Sequence, residues 1–142
     1  MALVWIHPFT ATVSGPISCG KSSFAIRFIK HTYQIMSPQP SSIMWCYGAY
    51  QLVFETLPGV KFHKGIPDVS QLVDGSLLIL DDLMQEANDQ VTQIFTKFSH
   101  HRNISVMFLT QNLFHKNVRS ITLNSHYLFC SKTPEMFNRF CT

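Results

Sequence analysis

The feature that most constrains the fold of this chain is a glycine and lysine pattern near its start. Residues 14–23 read SGPISCGKSS, in which four residues separate Gly15 from Gly20-Lys21-Ser22. Glycines let the backbone approach a ligand closely, and successive N–H groups in such a loop form a nest for an anion. The spacing G-x-x-x-x-G-K-[ST] is that of the phosphate-binding P-loop, which requires a strand before it and a helix after it.

The residues on both sides of the pattern meet that requirement. Phe9–Val13 mixes aromatic and β-branched side chains, which favours a strand. Lys21–Tyr33 contains neither glycine nor proline, and Phe24 and Phe28 stand four apart on a broad apolar face, which predicts a helix. The alternative is a chance glycine-rich turn, and a strand and a helix in the required order argue against it.

We therefore predict a binding site for the phosphates of ATP together with Mg²⁺. Lys21 would reach the β- and γ-phosphates, and the Ser22 hydroxyl would bind the metal ion. The helix adds the partial positive charge of its N-terminus. The residues of the predicted phosphate loop are Gly15, Pro16, Ile17, Ser18, Cys19, Gly20, Lys21, Ser22 and Ser23.

A second motif supplies acids for the metal ion and for water. Residues 76–82 read SLLILDD, an apolar run that ends in two aspartates. A strand buried on both faces of a parallel sheet has such a run, and charges at its end lie at the edge where α/β proteins bind ligands. As a Walker B strand, it would let Asp81 hold Mg²⁺, mostly through water, and Asp82 act as the general base that polarises the attacking water. The alternative is a pair of aspartates that cap a following helix.

The rest of the chain alternates helices and strands, which indicates a mostly parallel α/β sheet with helices on both faces. Apolar spacing predicts a helix over Asn88–Ser99, with Asn88 as its N-cap, and then a strand over Ile104–Leu109. Gln111 at the tip of that strand is a candidate sensor of the γ-phosphate or the attacking water, and an ordinary strand-end turn is the alternative. Further strands are predicted at Ile43–Tyr47, Val60–His63 and His126–Cys130.

Composition indicates a globular domain. The 142 residues are 46% hydrophobic and 13% charged, and the net charge of +3 permits contact with nucleic acid without requiring it. The four cysteines show no C-x-x-C spacing, which argues against common zinc and thioredoxin-like motifs and favours a reducing, intracellular setting. No apolar run approaches the roughly 18 residues of a membrane span, so no membrane partner is expected. Because the chain stops just after a predicted helix start at Thr133-Pro134-Glu135, we expect residues 1–142 to form one domain truncated at its C-terminus.

Four stretches make the sequence resemble a known family. They read HPFTATVSGPISCGKSSF, LLILDDLM, FTKFSHHRNISVMFLTQNLFHK and ITLNSHYLF. Together they resemble the genome-packaging ATPases of Maverick/Polinton elements and adintoviruses, a family similar to the poxvirus packaging ATPases within the FtsK–HerA superfamily. The resemblance covers nearly the whole chain, and its third stretch is more specific than the P-loop, which many unrelated proteins share.

The resemblance implies an additional-strand, RecA-like P-loop NTPase fold, in which the strand Ile104–Leu109 lies between the P-loop strand and the Walker B strand. It implies ATP-driven translocation of double-stranded DNA into a capsid by a homo-oligomeric ring that works with capsid or portal proteins. Such a motor would act in the host nucleus or in a cytoplasmic viral factory, and it would also be found with the virion. Related motors often have glutamate where this chain has Asp82.

Other side chains have less specific interpretations. Arg102 or Arg119 would act as an arginine finger in a neighbour's site, and Arg102 is preferred because it lies in the more specific stretch; an exposed loop arginine is the alternative. His100 and His101 lack partners at metal-ligand spacing and are interpreted as loop or interface residues. Trp45 and Tyr47 would reach a nucleobase or DNA, although core packing at a strand is the favoured interpretation.

Two functions of other classes stay open. The first is a small nucleotide or metabolite kinase, which shares the P-loop and this chain length. Such kinases usually carry an arginine-rich lid, whereas the segment after Gln111 holds only Lys116 and Arg119 before the last strand. The second is a degenerate nucleotide-binding remnant of an integrated element.

Overall fold

Parallel strands form the central sheet of the computed structural model, which describes residues 4–15, 20–83, 89–111 and 125–130. In chain order the strands are β1 (Trp5–Ile6), β2 (Thr10–Ser14), β3 (Met36–Ser37), β4 (Ile43–Tyr47), β5 (Val60–Lys64), β6 (Leu77–Asp81), β7 (Ser105–Thr110) and β8 (Tyr127–Cys130). Six of them form the central sheet in the order β5-β4-β6-β7-β2-β8, and β1 pairs with β3 in a separate parallel sheet.

Short helices connect these strands. They are α1 (Lys21–Lys30), α2 (Thr32–Ile35), α3 (Asp89–Gln93) and α4 (Ser99–His101), with a π-helical segment over Ile94–Phe98 between α3 and α4 and 3₁₀ turns at Leu52–Thr56 and Val69–Gln71. Among the helices in the described ranges, none is long and apolar enough to cross a bilayer.

The two central strands β6 and β7 are buried along their whole length. Alternate residues of a strand point to opposite faces of the sheet. Leu77 and Ile79 accordingly join a core cluster with Phe24 of α1, and Leu78 joins a second cluster with Val91 of α3. The mostly parallel α/β sheet with helices on both faces is therefore confirmed.

The position of β7 is the topological feature that matters most for the site. β7 pairs in parallel with β2 on one side and with β6 on the other. The strand predicted over Ile104–Leu109 therefore lies between β2 and β6, the strand that ends in the two aspartates. This placement was expected from the family resemblance.

The helix predicted over residues 21–33 is shorter than expected. α1 stops at Lys30, and His31 leaves the helical region with φ −120° and ψ 17°. A separate short helix, α2, then leads into β3, and the chain buries Ile35 and Met36 there. Apolar residues recur at helical spacing past His31, so the sequence pattern did not reveal that the helix ends at Lys30. The position of this end depends on how Ile35 and Met36 pack.

Several predicted features lie outside the described residues. They are Pro16, Ile17, Ser18 and Cys19 of the phosphate loop, the N-cap at Asn88, Arg119, and the helix start at Thr133.

Candidate functional site

A pocket of about 490 Å³ lies at the carboxyl edge of the central sheet, beside the first turn of α1. Most residues that line it were predicted from the sequence to belong to one site. The predicted ones are Gly20, Lys21, Ser22, Ser23, Asp81, Asp82 and Gln111, and the others are Gln51 and Leu109. Two sequence motifs that lie far apart along the chain thus meet around one space.

The parallel register explains why these residues meet. Ser14 at the end of β2 lies beside Thr110 of β7, and Leu109 lies beside Asp81 at the end of β6. The Gly15 N–H donates to the Thr110 carbonyl across 3.2 Å, which continues the ladder into the start of the phosphate loop. Because parallel strands end at the same edge of a sheet, the loops that follow them share one pocket.

Gly20, in the predicted phosphate loop, has a backbone conformation that only glycine adopts easily. Gly20 has φ 96°, in the left-handed region, and it directly precedes α1. The first N–H groups of a helix have no partner within the helix, and here they belong to pocket-lining residues. The Lys21 Nζ donates to the Gly15 carbonyl across 2.7 Å, so the ammonium group lies at the opening of the loop. This end of the pocket therefore carries positive charge and the backbone N–H groups of the first helical turn.

Asp81 is the buried acid of the site. The residue is 6% exposed, and its Oδ2 accepts a hydrogen bond of 3.2 Å from the indole Nε1 of Trp45. The pKa of Asp81 is raised to about 6, chiefly because burial disfavours the charged form; the Trp45 hydrogen bond lowers it, the Asp82 charge raises it and the Lys21 charge lowers it. A carboxylate in such surroundings is stabilised by a cation placed beside it.

Asp82 is the exposed acid, and its backbone is strained. Its φ of 57° lies in the left-handed region, which residues with a Cβ seldom adopt. The Asp82 N–H donates to the Leu109 carbonyl across 3.3 Å, and the Gly48 N–H donates to the Asp81 carbonyl across 3.1 Å. These bonds hold a sharp turn after β6 that brings Asp82 to the pocket. Strained residues of this kind often occur at functional sites.

Two glutamines reach the pocket from the ends of different strands. Gln111 directly follows β7 and is exposed, and it lines the pocket where a sensor of the γ-phosphate was predicted. Gln51, which sequence reasoning missed, lies in the loop after β4. That loop is held by its aromatic neighbours, since the ring centroids of Tyr50 and Phe54 are 5.4 Å apart. The only signal for Gln51 in the sequence was its position. It follows β4, which pairs with β6, and residues that follow these strands lie near the carboxyl edge of the sheet.

Arg102 lies away from the pocket, at the amino end of β7. Its Nε donates to Asp74 Oδ1 across 2.5 Å, and its Nη2 donates to the Leu72 carbonyl across 2.7 Å. These contacts bind the guanidinium group of Arg102 to residues of the same chain. An arginine finger acts in the site of a neighbouring subunit, so this role of Arg102 stays a prediction, and it requires that the contacts with Asp74 and Leu72 give way.

The other aromatic and histidine residues singled out from the sequence have structural surroundings. Trp45 is fully buried, in agreement with core packing, and Tyr47 is half-buried with its ring centroid 5.8 Å from that of Tyr50. His100 is exposed, and its ring centroid lies 5.9 Å from that of His126. The hydrogen bond from Trp45 to the acid of the site was not predicted.

The donors in the pocket fit Mg²⁺. This ion prefers oxygen ligands and usually takes one or two carboxylates together with the phosphates of a substrate. Ser22 and Asp81 line the same pocket and would provide one hydroxyl and one carboxylate. Within the described ranges no group of three or more His, Cys, Asp or Glu side chains is arranged around a metal. A site that shares its metal ion with a nucleotide does not need such a group.

Comparison with known proteins gives little further information. No family model matches the chain. The chain is 32% identical over 124 residues to anthranilate synthase component 1 of Buchnera aphidicola subsp. Baizongia pistaciae (strain Bp). The match covers 81% of this chain and 24% of that protein, so the chain spans about a quarter of its length. The likeness is thus to part of an enzyme, and it leaves the family open.

Proposed function

We propose that this chain is a P-loop ATPase that binds ATP and Mg²⁺ in the pocket and hydrolyses the bond between the β- and γ-phosphates. The observation that carries this proposal is the meeting of Lys21 and Ser22 with Asp81 and Asp82, from segments 60 positions apart, around one pocket. Hydrolysis needs a cradle for the phosphates, an acid for the metal ion and a group that activates water. The lining residues include candidates for each of these tasks.

The position of each residue in the pocket suggests its role. The Lys21 ammonium and the N–H groups of the first turn of α1 bind and orient the phosphates. Ser22 and Asp81 would hold Mg²⁺, which when bound would neutralise charge on the phosphate oxygens. Asp82 polarises the attacking water from its exposed position, and Gln111 orients that water from the tip of β7.

We extend the proposal to a motor that moves double-stranded DNA into a capsid as a homo-oligomeric ring. This part rests on the sequence resemblance, which also suggests the host nucleus or a cytoplasmic viral factory as the place of action. The insertion of β7 between β2 and β6 supports the ATPase part, because the additional-strand P-loop fold has a strand there. Double-stranded DNA and capsid or portal proteins would then be the partners.

A small nucleotide kinase and a remnant without turnover are the alternatives from the sequence. The likeness to part of an anthranilate synthase component supports only the coarser proposal that the chain acts as an enzyme. ATPase measurements with and without duplex DNA separate these functions. A motor hydrolyses ATP faster with DNA and self-associates, a kinase phosphorylates an added acceptor without DNA, and a remnant binds ATP without turnover.

Two substitutions test the site itself. Lys21→Ala removes the charge that faces the phosphates, so we expect ATP affinity to fall about tenfold or more. Lys30→Ala, at the exposed far end of α1, is the matched control and leaves affinity unchanged.

Asp82→Asn keeps ATP binding but slows turnover by about 10²–10⁴-fold, because Asn tolerates the left-handed backbone but cannot accept a proton. Normal hydrolysis by Asp82→Asn shows that the base is a different group.

A further inference from the structure

The indole of Trp45 contacts the acid that would hold the metal ion. Trp45 lies on β4 and Asp81 at the end of β6, and the register pairs Asp81 with Tyr47, two residues further along β4. Trp45 and Asp81 therefore lie on the same face of the sheet. The indole Nε1 donates to Asp81 Oδ2 across 3.2 Å, and the two residues are 0% and 6% exposed.

The indole has little freedom to move. The ring centroids of Phe54 and Phe62 lie 5.2 Å and 6.3 Å from that of Trp45. Trp45 belongs to the core cluster that α1 covers, so a rotation of its ring would disturb that core. An indole has one donor and no acceptor. It therefore fixes one oxygen of the Asp81 carboxylate and leaves the lone pairs of the other oxygen for a different partner.

We propose that Trp45 is a positioning residue for the metal ligand Asp81. By holding Oδ2, its indole N–H keeps the carboxylate plane in place and leaves Oδ1 for Mg²⁺ when the nucleotide binds. The inference rests on the proposed function, because it concerns the same pocket. Groups that orient a metal ligand through a hydrogen bond commonly change metal affinity by about 10- to 100-fold when they are removed.

Trp45→Phe tests this role, because it keeps an aromatic ring and removes the donor. Mg²⁺ is titrated by calorimetry at a fixed concentration of a non-hydrolysable ATP analogue. We expect the Mg²⁺ concentration for half-maximal binding to rise about tenfold, while binding of the analogue without Mg²⁺ stays unchanged. Trp5→Phe is the matched control: Trp5 lies in the same core cluster, but it packs against Phe9 and Phe28. It should keep the wild-type Mg²⁺ dependence.

An optical measurement leaves Trp45 in place and works even where Trp45→Phe does not fold. The chain contains two tryptophans, so Trp5→Phe makes Trp45 the single reporter. Mg²⁺ held by Asp81, directly or through its bound water, would withdraw electron density from the oxygen that accepts the indole hydrogen bond. We expect the emission of Trp45 to shift when Mg²⁺ and the ATP analogue are added together. The same addition to the Trp5→Phe/Asp81→Asn double variant should give no shift.

The outcomes separate this inference from the proposed function. An unchanged Mg²⁺ requirement in Asp81→Asn overturns the metal assignment, and the role of Trp45 falls with it. A lost Mg²⁺ dependence in Asp81→Asn, combined with wild-type dependence in Trp45→Phe, overturns only the positioning role. A Trp45 emission that ignores Mg²⁺ and the analogue, in a protein that binds both, overturns it as well.

Discussion

The carboxyl group of Asp81 lies where the surrounding protein disfavours its charge. Its pKa is raised from 3.8 to about 6, mainly by burial. A folded-state pKa above the unfolded one means that the protonated form stabilises the fold. That contribution is complete below pH 3.8 and is lost as the pH rises through about 6. At neutral pH the charged carboxylate of Asp81 therefore destabilises the ligand-free protein, and a bound cation would offset this destabilisation.

We expect Asp81→Asn to stabilise the ligand-free protein and to abolish Mg²⁺-dependent turnover. Asn keeps an oxygen for the Trp45 hydrogen bond and removes the buried charge, so the free energy of unfolding should rise by about 1–3 kcal/mol at pH 8. Near pH 4 the gain should nearly vanish, because the wild-type carboxyl group is then protonated in the fold. Thermal unfolding at both pH values measures the difference. Asp68→Asn, at an exposed position, is the control and should show no gain. A loss of stability in Asp81→Asn at pH 8 would contradict the prediction.

At the scale of elements, the meeting of the ends of β4 and β6 shapes the pocket. Gly48 follows β4 directly, and its N–H donates to the Asp81 carbonyl across 3.1 Å. A Cβ at Gly48 would lie 2.7 Å from the Asp82 carbonyl oxygen, closer than real Cβ contacts come. The absence of a side chain at this one position therefore lets the two strand ends approach each other.

Gly48→Ala should push these strand ends apart. We expect a loss of about 1–3 kcal/mol in the free energy of unfolding and a higher Mg²⁺ requirement for nucleotide binding, because the displaced backbone carries both acids. Gly59→Ala is the comparison: Gly59 has φ +85° and open space around it, so the cost there is backbone strain away from the pocket. That variant should lose stability while its Mg²⁺ requirement stays the same. An unchanged Mg²⁺ requirement in Gly48→Ala would show that the close approach does not support the site.

The central strands β6 and β7 could be predicted from local patterns, because their apolar runs are buried on both faces. The strand over Ile43–Tyr47 was predicted with its observed bounds, and β7 and β8 each begin one residue later than predicted. The site was predicted where a motif has fixed spacing, as in Lys21 and Asp81. Gln51 and the Trp45 hydrogen bond were missed because they depend on the register between β4 and β6, which local spacing does not reveal.

At the scale of the whole molecule, a buried polar network joins distant parts of the chain at the amino edge of the sheet. His7 is 7% exposed; its Nε2 donates to the Gly75 carbonyl across 2.9 Å, and its Nδ1 accepts from the Ser105 hydroxyl across 2.5 Å. The Phe9 N–H donates to the same hydroxyl oxygen across 2.9 Å. The network thus connects the N-terminal segment to the turn before β6 and to the first residue of β7.

We expect this network to weaken in mild acid. Burial lowers the pKa of His7, although the Gly75 hydrogen bond opposes the shift. A lowered folded-state pKa means that the stabilising contribution is complete above the unfolded value of 6.5 and is lost as the pH falls below it. His7→Gln can donate to the Gly75 carbonyl without titrating, so its stability should fall less than that of the wild type between pH 7 and 5.

The measurement is thermal unfolding across that pH range in an Asp81→Asn background, because Asp81 titrates in the same pH range with the opposite effect on stability. His101→Gln, at an exposed position, is the control and should follow the parent protein. Parallel stability curves for His7→Gln and its parent would mean that His7 titrates alike in the folded and unfolded chains.

Because β7 lies between β2 and β6, it sets the minimum length of a ligand that contacts both sequence motifs. Since neighbouring strands lie about 4.8 Å apart, the tips of β2 and β6 are separated by about 10 Å across β7. A ligand that touches Lys21 at one end and Asp81 at the other must pass over the tip of β7. Leu109 and Gln111, which line the pocket at this tip, therefore form the floor of its path, and the size and polarity of that floor would select the molecules that the protein accepts.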